Sequence, residues 1–152
     1  MEFIVNPVAF IRNSRKEIED DHWSSVISEI QLADHIPEET LFGIDHFSHL
    51  EILFLFHNVS PANIVLSAEH PRENKIFPKV GIFAQRKKNR PNLIGLTIVE
   101  LLSKERNKLI VKNLDAIDGT PVIDIKPVMK EFLPLTELKQ PEWSTELMKN
   151  YW

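Results

Sequence analysis

The chain has 152 residues, a formal charge of −4, 43% hydrophobic residues and no cysteine. That length suits one domain, 1–152, able to bury about two thirds of its unfolded surface. The missing cysteines exclude thiolate catalysis, cysteine-bound zinc, iron–sulfur clusters and disulfides, and suit a reducing compartment. Met1 to Pro7 holds no basic stretch ahead of an apolar core, and no apolar run nears the roughly 20 residues that span a bilayer, so a cytoplasmic protein without a membrane segment is expected.

Short apolar runs rich in β-branched and aromatic residues, broken by turn residues, predict a mainly β chain. In chain order the expected strands are Phe3 to Ile11, Val26 to Leu32, Leu50 to His57, Lys79 to Gln85, Ile94 to Leu102, Lys108 to Leu114 and Val122 to Ile125. Several lack strict alternation, which predicts strands buried on both faces, in a barrel or in a sheet covered by loops. Arg15 to Trp23 reads as a short helix or as an exposed charged turn. Glu142 to Asn150 reads as a helix, with Pro141 at its start, acids early and Lys149 in the last turn, and with Trp143, Leu147 and Tyr151 toward the body. No repeat, low-complexity tract or linker divides the chain.

Charge is uneven. Between Arg72 and Arg90 stand seven Lys or Arg against the single Glu73. A basic segment on an acidic body suits an anionic ligand or nucleic acid, or it is a solvated loop. Only four glycines occur, where an average chain of this length carries about ten. Gly119, in Asp118-Gly119-Thr120-Pro121, predicts a tight turn with positive φ. Gly95 follows the stiff Arg90-Pro91-Asn92-Leu93-Ile94 loop, and Gly81 opens the strand leading to Arg86. Asp45, His46 and His49 read better as a turn before a strand than as metal ligands, and no metal is expected.

Three stretches together carry a family resemblance: Gly81-Ile82-Phe83-Ala84-Gln85-Arg86, Arg90-Pro91-Asn92-Leu93-Ile94-Gly95-Leu96-Thr97, and Leu114-Asp115-Ala116-Ile117-Asp118-Gly119-Thr120-Pro121 continuing to Pro127. With Asn6-Pro7-Val8-Ala9-Phe10-Ile11-Arg12 and Phe47-Ser48-His49-Leu50 through His57, the sequence resembles the TsaA-like family over most of its length. Characterised members are S-adenosylmethionine-dependent methyltransferases of the TrmO type, acting on N6 of threonylcarbamoyladenosine in tRNA. The resemblance implies a compact single-domain β-barrel, a homodimer and an S-adenosylmethionine site. Cofactor contacts carry over to His57, Asn58, Arg86, Leu96, Asp118, Gly119, Thr120 and Pro121. The sequence departs from the family at Lys87-Lys88-Asn89, where Ser-Pro-Phe is common, and at Leu93, where a second proline is common. The absence of a Gly-rich strand-to-helix loop agrees with a barrel rather than a doubly wound methyltransferase.

Methyl transfer to an amine needs alignment of donor and acceptor and a group to accept the nitrogen's proton. His57 and Asp118 are the candidates, against roles as a strand-end histidine and a turn residue. Arg72, Lys87, Lys88, Arg90 and Asn92 would meet tRNA, or a small nitrogen nucleophile would replace it as acceptor. Trp23 stacks on a base or belongs to core or interface, and Glu17 to Asp21 would face the cofactor's cationic end across a dimer. The competing function is a non-catalytic module that binds S-adenosylmethionine or RNA.

Overall fold

The computed structural model describes residues 1–152. Its strands are β1 (Ala9–Arg12), β2 (Ile27–Leu32), β3 (His49–Leu55), β4 (Ala68–Glu69), β5 (Val80–Gly81), β6 (Ile94–Glu105), β7 (Lys108–Lys112) and β8 (Pro121–Pro127), and its one α-helix is α1 (Glu142–Leu147). Six strands close a barrel in the order β1-β2-β7-β6-β3-β8, all antiparallel, and β4 pairs with β5 in a separate ribbon. Closure removes every free edge of the main sheet.

Alternation fills the barrel. Along β3, Leu50, Ile52 and Phe54 point inward at 1% exposure or less, and Ala9, Ile11, Ile30, Val99, Leu109, Val111 and Val122 meet them in one core. At about 25 cal/mol per Å² of buried apolar surface, this cluster is the fold's main stabilising term. The outer faces are not covered: Ile94, Leu96 and Ile98 of β6 stand 39%, 41% and 46% exposed. The expectation of strands buried on both faces is corrected here, because an uninterrupted apolar run does not distinguish a doubly buried strand from one whose outer face is apolar and open.

Other expected elements shrink for identifiable reasons. The first strand begins at Ala9 rather than Phe3, since β2 offers partners only to Ala9 through Arg12, and Phe3 and Ile4 stay exposed. Of Lys79 to Gln85 only Val80 and Gly81 pair, after which a 3₁₀ turn over Ile82–Ala84 buries Ile82 and turns Phe83 outward. Arg15 to Trp23 is irregular, with only a 3₁₀ turn at Trp23–Ser25, and the C-terminal helix ends at Leu147 because Met148 leaves helical geometry.

Two loop positions are set by backbone geometry. Gly119 adopts φ 79°, as the Asp-Gly turn requires. Leu93 adopts φ 54° and its N–H donates to the Arg90 carbonyl at 3.0 Å. Proline can do neither, so leucine here gives the loop a course that the family's second proline would forbid.

Gly95 is fixed by packing. It sits opposite Phe54 across β3 and β6, and a Cβ on it would overlap the buried Phe54 ring. Gly95→Ala should cost about 1–3 kcal/mol as the ring is driven off its place, measured by urea denaturation. Stability equal to wild type would show that the ring has room to move.

Candidate functional site

The filled interior leaves no space for a ligand, so a site has to be built at a barrel end. Strand register decides which. Leu55 at the end of β3 pairs with Ile94 at the start of β6, and Pro121 at the start of β8 pairs with Phe10 of β1. The segments 13–26, 56–67, 82–93 and 113–120 therefore gather at one end, and the chain from Gln140 to Tyr151 crosses them. Between them lies a cavity of about 1220 Å³.

Hydrogen bonds knit these loops together. Gln85, buried, donates from Nε2 to the carbonyls of Val80 at 3.0 Å and Glu69 at 3.3 Å. The Asn89 amide donates to the Asn63 carbonyl at 3.0 Å, and Val65 N–H to the Asn89 carbonyl at 2.9 Å. The C-terminal segment is tied in by His22 N–H to the Asn150 carbonyl and Trp23 N–H to the Tyr151 carbonyl, both 2.9 Å. Trp23 is buried in the wall with the Arg15 guanidinium 4.3 Å from its ring centre, and Trp143 leans on Phe77.

Charges in the wall divide into paired and unpaired. Arg72 reaches Asp21 through two nitrogens, at 2.6 and 3.1 Å, and Asp20 at 3.7 Å; the Asp21 hydrogen bond chiefly raises its already high pKa. Lys87 pairs with Glu69. Arg86 has no carboxylate partner and instead donates to the Leu96 carbonyl. Asp115 accepts hydroxyl bonds from Thr97 on one carboxylate oxygen and from Tyr151 on the other. Burial, and then the adjoining Asp115 charge, push the Tyr151 phenol above its ordinary range, which keeps it a donor.

Of the residues singled out from the sequence, His57, Asn58, Arg72, Arg86, Lys87, Lys88 and Thr120 line the cavity. Leu96, Arg90, Asn92, Asp118, Gly119 and Pro121 do not. Leu96 points its side chain to the outer face and gives only its carbonyl to Arg86. Arg90 donates to the Gln85 carbonyl at 3.1 Å. Gly119 donates to the Ile11 carbonyl and Pro121 begins β8, both as parts of the turn. Asp118 turns away from the cavity, accepting from Lys16 Nζ at 2.5 Å and Asn13 N–H at 3.0 Å. Glu19 and Asp20 also face the cavity. No three His, Asp or Glu side chains come together as metal ligands, and no helix is long and apolar enough to cross a membrane.

The sequence places Asp115 in a shared motif and Tyr151 toward the body, without a site role for either. Both carboxylates of Asp115-Ala-Ile-Asp118 were visible, but the Asp-Gly signal drew attention to the second. The available signal was Asp115 between apolar Leu114 and Ala116, which join the core from the loop after β7.

A small closed barrel with a loop-built cavity at one end defines the class of protein. A family model for the tRNA-methyltransferase O N-terminal domain matches residues 14–132, and the chain belongs to that family. It is 42% identical over 96 residues, 63% of its length, to a tRNA (adenine(37)-N6)-methyltransferase of Mus musculus, of which it covers 22%. It is 32% identical over 140 residues to an S-adenosyl-L-methionine-binding protein of Archaeoglobus fulgidus, covering 90% of this chain and 96% of that one. The crystal structure of TrmO from Pseudomonas aeruginosa superposes with a TM-score of 0.73 at 28% identity, covering 91% of this chain and 62% of the other. The chain thus spans about a quarter or less of the mammalian methyltransferases it matches.

The Asp118 turn makes a pH-dependent contribution to stability. The Lys16 ammonium, then the Asn13 N–H, hold the Asp118 carboxyl below the usual carboxylate range. A depressed pKa stabilises the fold above the unfolded value of about 3.9, and the contribution disappears as pH falls through the lower folded value. Asp118→Asn should therefore lower Tm at neutral pH, with the gap to wild type narrowing below about pH 4. A gap constant from pH 7 to pH 3 would contradict this.

Proposed function

We propose that this chain binds S-adenosylmethionine in the loop-built cavity and transfers its methyl group to N6 of a tRNA adenosine, with threonylcarbamoyladenosine as the acceptor. The observation that carries this is one cavity of about 1220 Å³ holding His57, Asn58, Arg86 and Thr120 together. A pocket for one small ligand runs to roughly 300–1,000 Å³, so this one has room for a donor and a flipped nucleoside side by side. The names of its relatives, tRNA (adenine(37)-N6)-methyltransferase and S-adenosyl-L-methionine-binding protein, support the same reading.

The residues fit such a cofactor. Phe56, Trp143 and Met148 supply apolar walls for an adenine ring, while Arg86 and Asp115 supply fixed charges of both signs. When bound, S-adenosylmethionine supplies an electrophilic methyl group on a sulfonium leaving group. The chain's own contribution is alignment: Asn58 and Thr120 hold the donor, and the loops exclude water from the line of attack. As the acceptor nitrogen gains the methyl group it loses a proton, which His57 at the cavity's edge accepts. Asp118 serves indirectly by fixing, with Gly119 and Pro121, the turn that presents Thr120. Lys88 at the cavity wall and Arg90 outside it make no ion pair with the chain's carboxylates and meet tRNA phosphates, with Asn92 on the adjoining loop, while Arg72 and Lys87 hold the wall through their carboxylate partners.

A second copy of the chain covers the outer face of β3 and β6. Leu53 stands opposite Leu96 and Leu55 opposite Ile94, giving a two-strand apolar patch continued by Ile98 and bordered by Glu51, Glu100 and Lys126. That mixed-charge border suits a self-complementary contact. The patch adjoins the cavity through the Arg86 bond to the Leu96 carbonyl. Sedimentation should give a dimer, and Leu96→Lys should shift it to monomer; a wild-type monomer at high micromolar concentration would contradict the interface.

Titration calorimetry with S-adenosylmethionine should show micromolar binding, weakened at least about tenfold by Arg86→Ala. Methyl transfer to tRNA, followed by radiolabel, should fall with it. The absence of binding at millimolar cofactor by folded protein would overturn the proposal. The second reading, a binding module without catalysis, is favoured by the Archaeoglobus fulgidus S-adenosyl-L-methionine-binding protein, which this chain covers to 96%. Tight binding with no transfer to any tRNA pool would select it.

A further inference from the structure

The cavity wall contains four ionised side chains with no ion-pair partner: Asp115, Glu73, Arg86 and Lys88. Only two of these are held by directional bonds. Asp115, half-buried, is gripped by the hydroxyls of Thr97 and Tyr151, and Arg86 is held by the Leu96 carbonyl. Both line the same cavity, yet they do not pair with each other. The two hydroxyl donors offset part of the cost of half-burying this carboxylate, and a cation reaching it would stabilise it further.

A fixed anion and a fixed cation on the wall of one cavity match the two charges of an amino-acid zwitterion. We propose that Asp115, oriented by Thr97 and Tyr151, binds the α-ammonium of the donor's amino-acid moiety while Arg86 takes its α-carboxylate; this rests on the cofactor reading above. Each hydroxyl occupies one lone pair of its carboxylate oxygen, so lone pairs remain on both to accept ammonium N–H bonds. Tyr151 comes from the C-terminal segment beyond the family-model match at residue 132, so this chain completes the anchor with residues outside that common portion. Thr97, buried inside β6, fixes the carboxylate from the barrel side. Asp115 and Arg86 thus select ligands that carry the amino-acid group, and Tyr151 is a positioning residue.

Three nucleosides separate this role from others. S-adenosylmethionine and S-adenosylhomocysteine carry the amino-acid group, and 5′-methylthioadenosine lacks it. By calorimetry, Asp115→Asn should weaken the first two on the order of tenfold or more and leave methylthioadenosine within about twofold. Tyr151→Phe, which keeps the carboxylate, should give the same contrast at a few-fold, and it carries the test if the Asp115 variant fails to fold. Equal loss for all three nucleosides would assign Asp115 a structural role and overturn the proposal. Unchanged binding with reduced methyl transfer would place Asp115 at the acceptor and also overturn it. If wild type binds none of the three, the cofactor reading falls first; if wild type binds and the variants show no contrast, only the Asp115 assignment falls.

Discussion

Inward side chains of a six-stranded closed barrel leave no central space, and this constraint shapes everything else in the molecule. Phe54, Ile52, Val99 and Leu109 occupy the axis where a wider barrel would hold a ligand. Chemistry is displaced to an end, where the strand register collects the loops from β1, β3, β7 and the entries to β6 and β8. The same register makes Gly95 obligatory beneath Phe54, so the core and the loop that carries Arg86 are joined at one cross-strand pair.

Loops alone make a poor site unless something holds them. Here the holding is done by charge and by the C-terminal segment. The Arg72 pair with Asp21 joins segments 51 residues apart, and Lys87 with Glu69 joins segments 18 apart. These pairs are partly exposed, so each contributes modestly to stability; their value is in fixing where the loops lie. The C-terminal segment closes the remaining side through Tyr151. Once these pairs are formed, the basic segment no longer presents seven free cations, and those left without carboxylates fall at the cavity wall and on the outer surface.

Much of the barrel was legible in the sequence. β2, β3, β6 and β7 follow from apolar runs bounded by turn residues, and the Asp-Gly turn follows from glycine's tolerance of positive φ. Phe3 to Pro7 was not legible, because an apolar run shows β tendency without showing whether a partner strand exists. Nor was Lys79 to Gln85, where Ile82 is buried by a turn instead of a ladder. Residues of the site were legible where a motif fixes the backbone, as at Thr120. They were hidden where tertiary pairing decides: Asp21 removes Arg72 from the free cations, and three residues of spacing between Asp115 and Asp118 do not reveal that one faces the cavity and the other Lys16. Leu93 shows the reverse case, a local substitution whose backbone consequence was readable only from its φ.

The most direct test of this account is the crystal structure of the protein with S-adenosylhomocysteine. The nucleoside should lie in the end cavity, against Thr120 and Arg86, with its amino-acid group between Arg86 and Asp115. Density for the ligand on the outer face of β6, or anywhere outside the loops that close the barrel end, would contradict it.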